Sequence, residues 1–473
     1  MSKAFLNYYR CPEFYVHFDV SGHRAPSVGY FRWGADTICY GSLTSGSLAH
    51  LPDGHLHDVS DGIRIRDAHA SLPFDPEEVL ENLQRERYSN HSGEGSLSSA
   101  AVRNLYYKLR PLLGVHVRKP LQRLRLRNWK SIPFPEWPVD LTVDRVHRRL
   151  LALTMRANDF DSIPFIWFWP QDYQSCAIIT HDVETAEGRD FCGQLMDIDE
   201  SFGFRCSFQV VPELRYAVPK SFLALIVQRG CEVNIHDLNH DGRLFEEHAE
   251  FLRRVKKINQ YAHDFGARGF RAGALYRNPD WYDALEFDYD SSIPSVGHLD
   301  PQNGGCCTVL PFFIGNIIEL PVTCMQDYTL FHILNEYSTS IWRRQINIIT
   351  ENHGLITILT HPDYLKEARA QACYKEILGY LAEMRDTKSV WTPLPREVAE
   401  WWRQRSEMKL VLARGDWHIE GPGKERAHIA YAMLAGDSVM YHCPTPGSAW
   451  SSYPHRHIGG IDCPDPSISP GAT

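Results

Sequence analysis

The chain has 473 residues, 43% of them hydrophobic and 23% charged, with a formal net charge of −9. These are the proportions of a soluble globular protein with ample core, and the length exceeds one average domain while staying within reach of a large barrel with extensions. The acidic balance gives no general reason to expect nucleic-acid binding, and no apolar run approaches the roughly 20 residues that cross a bilayer.

Residues 1 to about 70 read as rich in strands and turns, with residues 30–34 and 37–41 as strands closed by glycines. A helix is predicted to start at Asp75, a good N-cap, with Pro76 at the first helical position and Glu77 and Glu78 at the positive end. Residues 90–98 read as a polar loop. The stretch 118–130 carries Arg118, Lys119, Arg123, Arg125, Arg127 and Lys130. Its expected role is a solvated face, with an anionic partner as the sharper alternative. Three prolines make 131–140 a rigid extended connector, a helix follows over about 141–157, and the aromatic run 163–170 reads as a packing segment.

From about 172 to 405 the chain alternates. Strands are predicted over 176–180, 206–211, 231–235, 269–271, 317–322 and 354–360. Helices are predicted over 188–202, 220–229, 246–265, 279–286, 328–352 and 370–384. Such alternation implies βα units and a largely parallel sheet or barrel. Residues 411–441 add a small β element, and the Pro-, Ser- and Gly-rich end from Cys443 is expected to be poorly ordered. The division expected is 1–171, an N-terminal α+β extension; 172–405, the barrel; and 406–473, a C-terminal β element and tail. The 12 cysteines are scattered without a Cys-x-x-Cys pair, and the first residues lack the apolar stretch of a signal peptide. Both point to a reducing, cytoplasmic setting.

Four segments share one design, an apolar run ending abruptly in residues suited to catalysis. The most informative is His236 with His240, after the strand-like run 231–235. On a helical turn this spacing puts both imidazoles on one face, within reach of one metal ion. The others are 176–180 leading into His181, Asp182 and Glu184; 269–271, ending in Arg271; and 354–360 leading into His361. In α/β barrels, catalytic groups gather at the C-terminal ends of the strands. His181, Asp237 and Asp241 lie near enough to touch such a site and are read as supporting or solvent-facing.

These motifs resemble those of the polysaccharide deacetylases of carbohydrate esterase family 4. The resemblance covers about residues 172–370 and implies a distorted, incomplete (β/α) barrel. It carries the family's general base onto Asp182 and its metal-binding histidines onto His236 and His240. The arginine that holds the base falls on Arg271, and the general acid on His361. The family's second motif-one aspartate falls on Val183, which cannot bind a cation; Glu184, one residue later, takes that place as third metal ligand. The aspartate that orients the acid falls on Asp290 or Asp327, with Asp327 favoured because it follows a strand-like run and precedes an aromatic residue.

The resemblance thus implies a metal-dependent hydrolase that removes an N-acetyl group from an amino sugar or a polysaccharide precursor, soluble or lipid-linked. One divalent ion is expected, zinc by default, with cobalt, nickel or iron suited to the same donors. Two rival expectations are an allantoinase-like amidohydrolase acting on a non-sugar C–N bond, and a non-catalytic carbohydrate-binding protein that kept the fold. Val183 favours the second of these; a binding module, however, needs neither base nor acid.

Overall fold

The apolar runs at 175–183 and 355–360 form neighbouring parallel strands, and the main sheet grows outward from that pair. The computed structural model describes residues 3–15, 18–24, 26–66, 68–90, 122–436 and 438–444. The expectations for the loop 91–98, for Arg118 and Lys119, and for the tail beyond residue 444 lie outside these residues. The sheet strands are β1 (Ser175–Val183), β2 (Ser207–Val210), β3 (Glu232–His236), β4 (Gly269–Arg271), β5 (Tyr289–Asp290), β6 (Phe312–Ile314), β7 (Ile317–Glu319), β8 (Leu355–Thr360) and β9 (Val390–Trp391). They lie in the order β6-β7-β5-β4-β3-β2-β1-β8, with β9 on the start of β1. Every pairing is parallel except β6 with β7.

The sheet curls into a distorted, incomplete (β/α) barrel. Among the described residues no strand pairing joins β7 to β8. Instead, the segment after β7 lies along β8: Thr323 Oγ1 donates to Leu355 O at 2.7 Å and accepts from Thr357 N at 2.9 Å. β1 and β8 are buried on both faces, as expected of parallel strands covered by helices. Helix Ala186–Ser201 is capped by Thr185, whose hydroxyl accepts from Gly188 N. Helix His248–Phe265 ends at Gly266 in the left-handed conformation.

The barrel interior is polar. Alternation along β3 places Glu232, Asn234 and His236 on one face. Asn234 donates to Ser207 Oγ at 2.7 Å and lies 2.7 Å from the Tyr289 hydroxyl. Gly269 makes room for that tyrosine, because a Cβ there would come within 2.2 Å of its ring.

Three elements differ from the sequence expectation. The single helix expected over 328–352 is two: a wide π-type turn, Tyr328–Leu334, stopped by left-handed Asn335, and then helix Ser340–Glu351. The segment 279–286 is a 3₁₀ helix, Pro279–Ala284. Helix Pro395–Glu407, which buries Trp401 and Trp402, was not foreseen.

Around the barrel, residues 29–32 and 38–41 pair as strands, and helix Pro76–Gln84 starts on Asp75 as expected. Strand Ser162–Ile166 pairs with Ile429–Ala435, so chain from both sides of the barrel shares one sheet. Arg405, fully buried, donates to the carbonyls of Trp167, Ile166, Tyr8, Tyr9 and Asn7. No helix among the described residues is long and apolar enough to cross a membrane.

In helix Thr142–Asn158, His147 is buried and stacked on Tyr8 at 4.0 Å, with Nδ1 unpartnered among the described residues. Burial lowers its pKa from 6.5 to about 3. As pH falls through 6.5 the unfolded chain takes up this proton and the folded chain does not, so folding stability is lost toward acid. His147→Phe removes that loss while keeping an aromatic ring. Its stability relative to the parent is expected to rise by about 1.4 kcal/mol per pH unit below 6.5, read by urea unfolding at pH 7 and pH 5. A gap that stays constant over that interval would show that His147 does not titrate this way.

Candidate metal centre and active site

The C-terminal ends of β1, β3, β4 and β8 converge, and each delivers one of the predicted side chains. On β1, residues 180 and 182 face the interior and Glu184 follows just beyond the strand, while Val183 turns outward into the apolar layer. The position that cannot bind a cation therefore points away from the site, and Glu184 reaches it.

Glu184 Oε1 lies 2.8 Å from His240 Nε2, 3.6 Å from His236 Nε2 and 3.5 Å from His361 Nε2. His236 Nε2 is also 3.6 Å from Asp182 Oδ2. This nitrogen is buried and has no hydrogen-bond partner among the described residues. A distance of 3.6 Å is long for a hydrogen bond but close to the roughly 3.4 Å between two ligands held about 2.1 Å from a tetrahedral ion. Two imidazoles and one carboxylate around an orphaned nitrogen fit a divalent cation. Ligand atoms of Glu184, His236 and His240 all lie within 4.8 Å of one another.

The histidine pair does not sit on a helical turn. His236 ends β3, and the chain then bends through a loop in which Asp237 (φ 57°) and His240 (φ 54°) are both left-handed. Close packing accompanies this bend: a Cβ on Gly273 would lie 2.5 Å from Asp237 Oδ2 and 3.2 Å from His240 Cδ2. His236 Nδ1 lies 3.2 Å from the Arg271 carbonyl, which orients the ring.

Arg271 grips Asp182 from the other side. Its Nη1 donates to Asp182 Oδ1 at 2.8 Å and to Thr180 Oγ1 at 2.9 Å. Its remaining edge is held by Ser291, through the carbonyl at 2.7 Å and the hydroxyl at 2.9 Å. Burial pushes the Asp182 carboxyl up, but Arg271, then His236 and His361, outweigh it and hold the group below the usual carboxylate range. Glu184 is held well below its usual range, with burial opposed by His240, His236 and His361.

His361 Nδ1 lies 2.7 Å from Asp327 Oδ1, and the His361 backbone N–H donates to Asp327 Oδ2 at 2.8 Å. Burial works against charge on this ring, yet Asp327 and Glu184 raise its pKa well above 6.5. Asp290 sits elsewhere, beside Glu319, where both carboxyls accept from Ser292. His181 faces away from the site toward Asp199 and Thr360. Asp237 accepts from Leu238 N, and Asp241 pairs with Arg254.

Sequence reasoning missed Thr180, Ser291 and Tyr364. Thr180 carried a signal, since it lies two residues before Asp182 on the same strand face. Ser291 and Tyr364, whose ring centroid is 4.9 Å from that of His361, carried none. Near His361, Leu275, Val322 and Leu359 form a small apolar cluster. Trp137 and Pro138 from the N-terminal part line one cavity together with Leu275, Val322 and Gln326.

No protein-family model matches this chain, and no curated protein matches it. Solved structures do match, and several of them are described as polysaccharide or peptidoglycan deacetylases. One is a protein from Mycobacterium smegmatis described as a polysaccharide deacetylase, 17% identical, covering 53% of this chain and 98% of its own, with a TM-score of 0.42. A second is an allantoinase, 12% identical, covering 50% and 92%, with a TM-score of 0.40. A third is a family 4 carbohydrate esterase from Streptomyces lividans, 14% identical, covering 46% and 91%, with a TM-score of 0.30.

Proposed function

We propose that the protein is a metal-dependent hydrolase that removes an N-acetyl group from an amino sugar or a saccharide precursor. The observation that carries this reading is one arrangement: a carboxylate held charged by Arg271 and a histidine held protonated by Asp327 flank the His236, His240 and Glu184 donors. These donors would hold one divalent cation, zinc by default. When bound, such an ion makes water more acidic and polarises an acyl oxygen.

The chain's own side chains do the remaining work. Asp182 Oδ2, the carboxylate oxygen not gripped by Arg271, takes the proton from the attacking water. Arg271 keeps that carboxylate charged and fixed. His361 holds a proton on Nε2 and gives it to the departing amine, while Asp327 fixes the tautomer through Nδ1. Leu275, Val322 and Leu359 offer an apolar seat for the acyl methyl group, and Trp137 brings the N-terminal part to the substrate's edge. Among the described residues eleven cysteines are free, and Cys206 and Cys231 remain unbonded at 3.4 Å; this supports a reducing compartment such as the cytoplasm.

The test is metal content together with acetate release. The His236→Ala/His240→Ala variant is expected to bind one equivalent less zinc than the parent and to release no acetate from N-acetylglucosamine oligomers. Equal metal content in the two proteins would overturn the metal assignment. Release of ammonia or urea from small amides, with sugars untouched, would move the substrate away from saccharides.

A further inference from the structure

Behind β1 lies a second group of metal-type donors, buried between the sheet and its helices. Alternation turns His181 away from the interior that Asp182 faces. There its Nε2 lies 3.0 Å from Asp199 Oδ2, on helix Ala186–Ser201. Cys206, just before β2, brings its sulfur to the same place: ligand atoms of His181, Asp199 and Cys206 lie within 4.8 Å of one another. All three residues have no solvent exposure. Cys231 precedes β3, and its Sγ is 3.4 Å from Cys206 Sγ.

The surroundings are apolar, with Leu195, Phe208 and Leu378 in the same cluster. The remaining polar atoms of the two polar donors are already held. His181 Nδ1 lies 2.8 Å from Thr360 Oγ1, and Asp199 Oδ1 accepts from the Tyr374 hydroxyl at 2.6 Å. Outer partners of this kind fix the tautomer and orientation of metal-bound imidazoles and carboxylates. His181, Asp199 and Tyr374 could satisfy one another without sulfur. Two adjoining thiols add only a weak S–H contact to that network. The Cys206 sulfur lies among an imidazole and a carboxylate, a donor set that suits zinc.

We propose that His181, Asp199 and Cys206 form a buried structural site for a thiophilic divalent cation of the zinc class. It is separate from the His236, His240 and Glu184 cluster. Binding replaces the S–H proton of Cys206 by a bond to the metal and releases that proton to solvent. An occupied site would pin β1 and the start of β2 to helix Ala186–Ser201 directly behind Asp182. The inference does not depend on the hydrolase reading.

The experiment is cobalt(II) titration of the full-length, metal-stripped protein, followed by absorbance and by metal content after desalting. The parent is expected to hold two equivalents and to show a near-ultraviolet thiolate-to-cobalt band, which the cysteine-free first cluster cannot give. His236→Ala/His240→Ala should keep the band and one equivalent. Cys206→Ser should lose the band and keep one equivalent. A folded parent that binds cobalt without the band overturns the proposal, whatever the folding of the cysteine variant. A band that survives in a folded Cys206→Ser/Cys231→Ser protein overturns it as well. If only the His236→Ala/His240→Ala result fails, the hydrolase site is at fault and the second site stands.

Discussion

Asp182→Asn is expected to slow amide hydrolysis by about 10²–10⁴-fold, the usual share of a positioned general base, while the metal content stays that of the parent. The amide keeps the shape of the carboxylate and can still accept from Arg271 at the 2.8 Å contact. What it loses is the ability to take a proton. It also loses the negative charge that answers a buried guanidinium, so some stability will go with it. Thr180 and Ser291 still hold three of the arginine's contacts, which favours a folded variant. The checks are kcat, zinc content and a thermal unfolding midpoint measured on one preparation. A folded, zinc-loaded variant with parental kcat would remove Asp182 from the role proposed here.

A loss of about 3–5 kcal/mol is expected for Arg277→Met, because it strands Glu86 in the interior without its partner. Arg277 and Glu86 are both buried, and their contact is bidentate: Nε donates to Oε2 at 2.7 Å, and Nη2 to Oε1. Arg277 also donates to the carbonyl of Leu275, a member of the apolar cluster near His361, at 2.7 Å. The pair therefore locks the segment after helix Pro76–Gln84 to the wall of the site. Pairing Arg277→Met with Glu86→Gln is expected to return part of the loss, since the uncompensated charge is gone. Denaturant unfolding with a constant slope measures both. A loss below about 1 kcal/mol for the single variant would mean that Glu86 finds solvent or another partner.

The sequence carried much of the barrel because its signals are local. An apolar run ending in a reactive residue marks both a buried parallel strand and the strand end where chemistry gathers, as at Thr180–Asp182 and Thr360–His361. Choosing between Asp290 and Asp327 needed a contact across the fold, and the geometry places Asp327 against His361. The helical turn expected for His236 and His240 failed because i, i+4 spacing fits more than one backbone path. Here two left-handed residues in a loop bring the rings together. Ser291 was invisible for a similar reason. It acts through its carbonyl as much as its hydroxyl, and a carbonyl has no residue type. Helix Pro395–Glu407 went unrecognised although Pro395 and Glu397 mark its start, because it follows the last βα unit and its tryptophans enter a core shared between the N-terminal part and the barrel strands, a contact with no local signature.

Arg405 sets the practical limit on dissecting this molecule. All five carbonyls that satisfy it belong to residues numbered below 172, so the guanidinium reads the folded state of the chain's beginning from a helix near its end. A fragment cut to residues 172–405 would keep every proposed catalytic side chain and yet carry a cation with no acceptor to meet it. The proposed catalytic barrel and the segment that precedes it are thus interdependent parts, to be inherited, expressed and engineered as one piece.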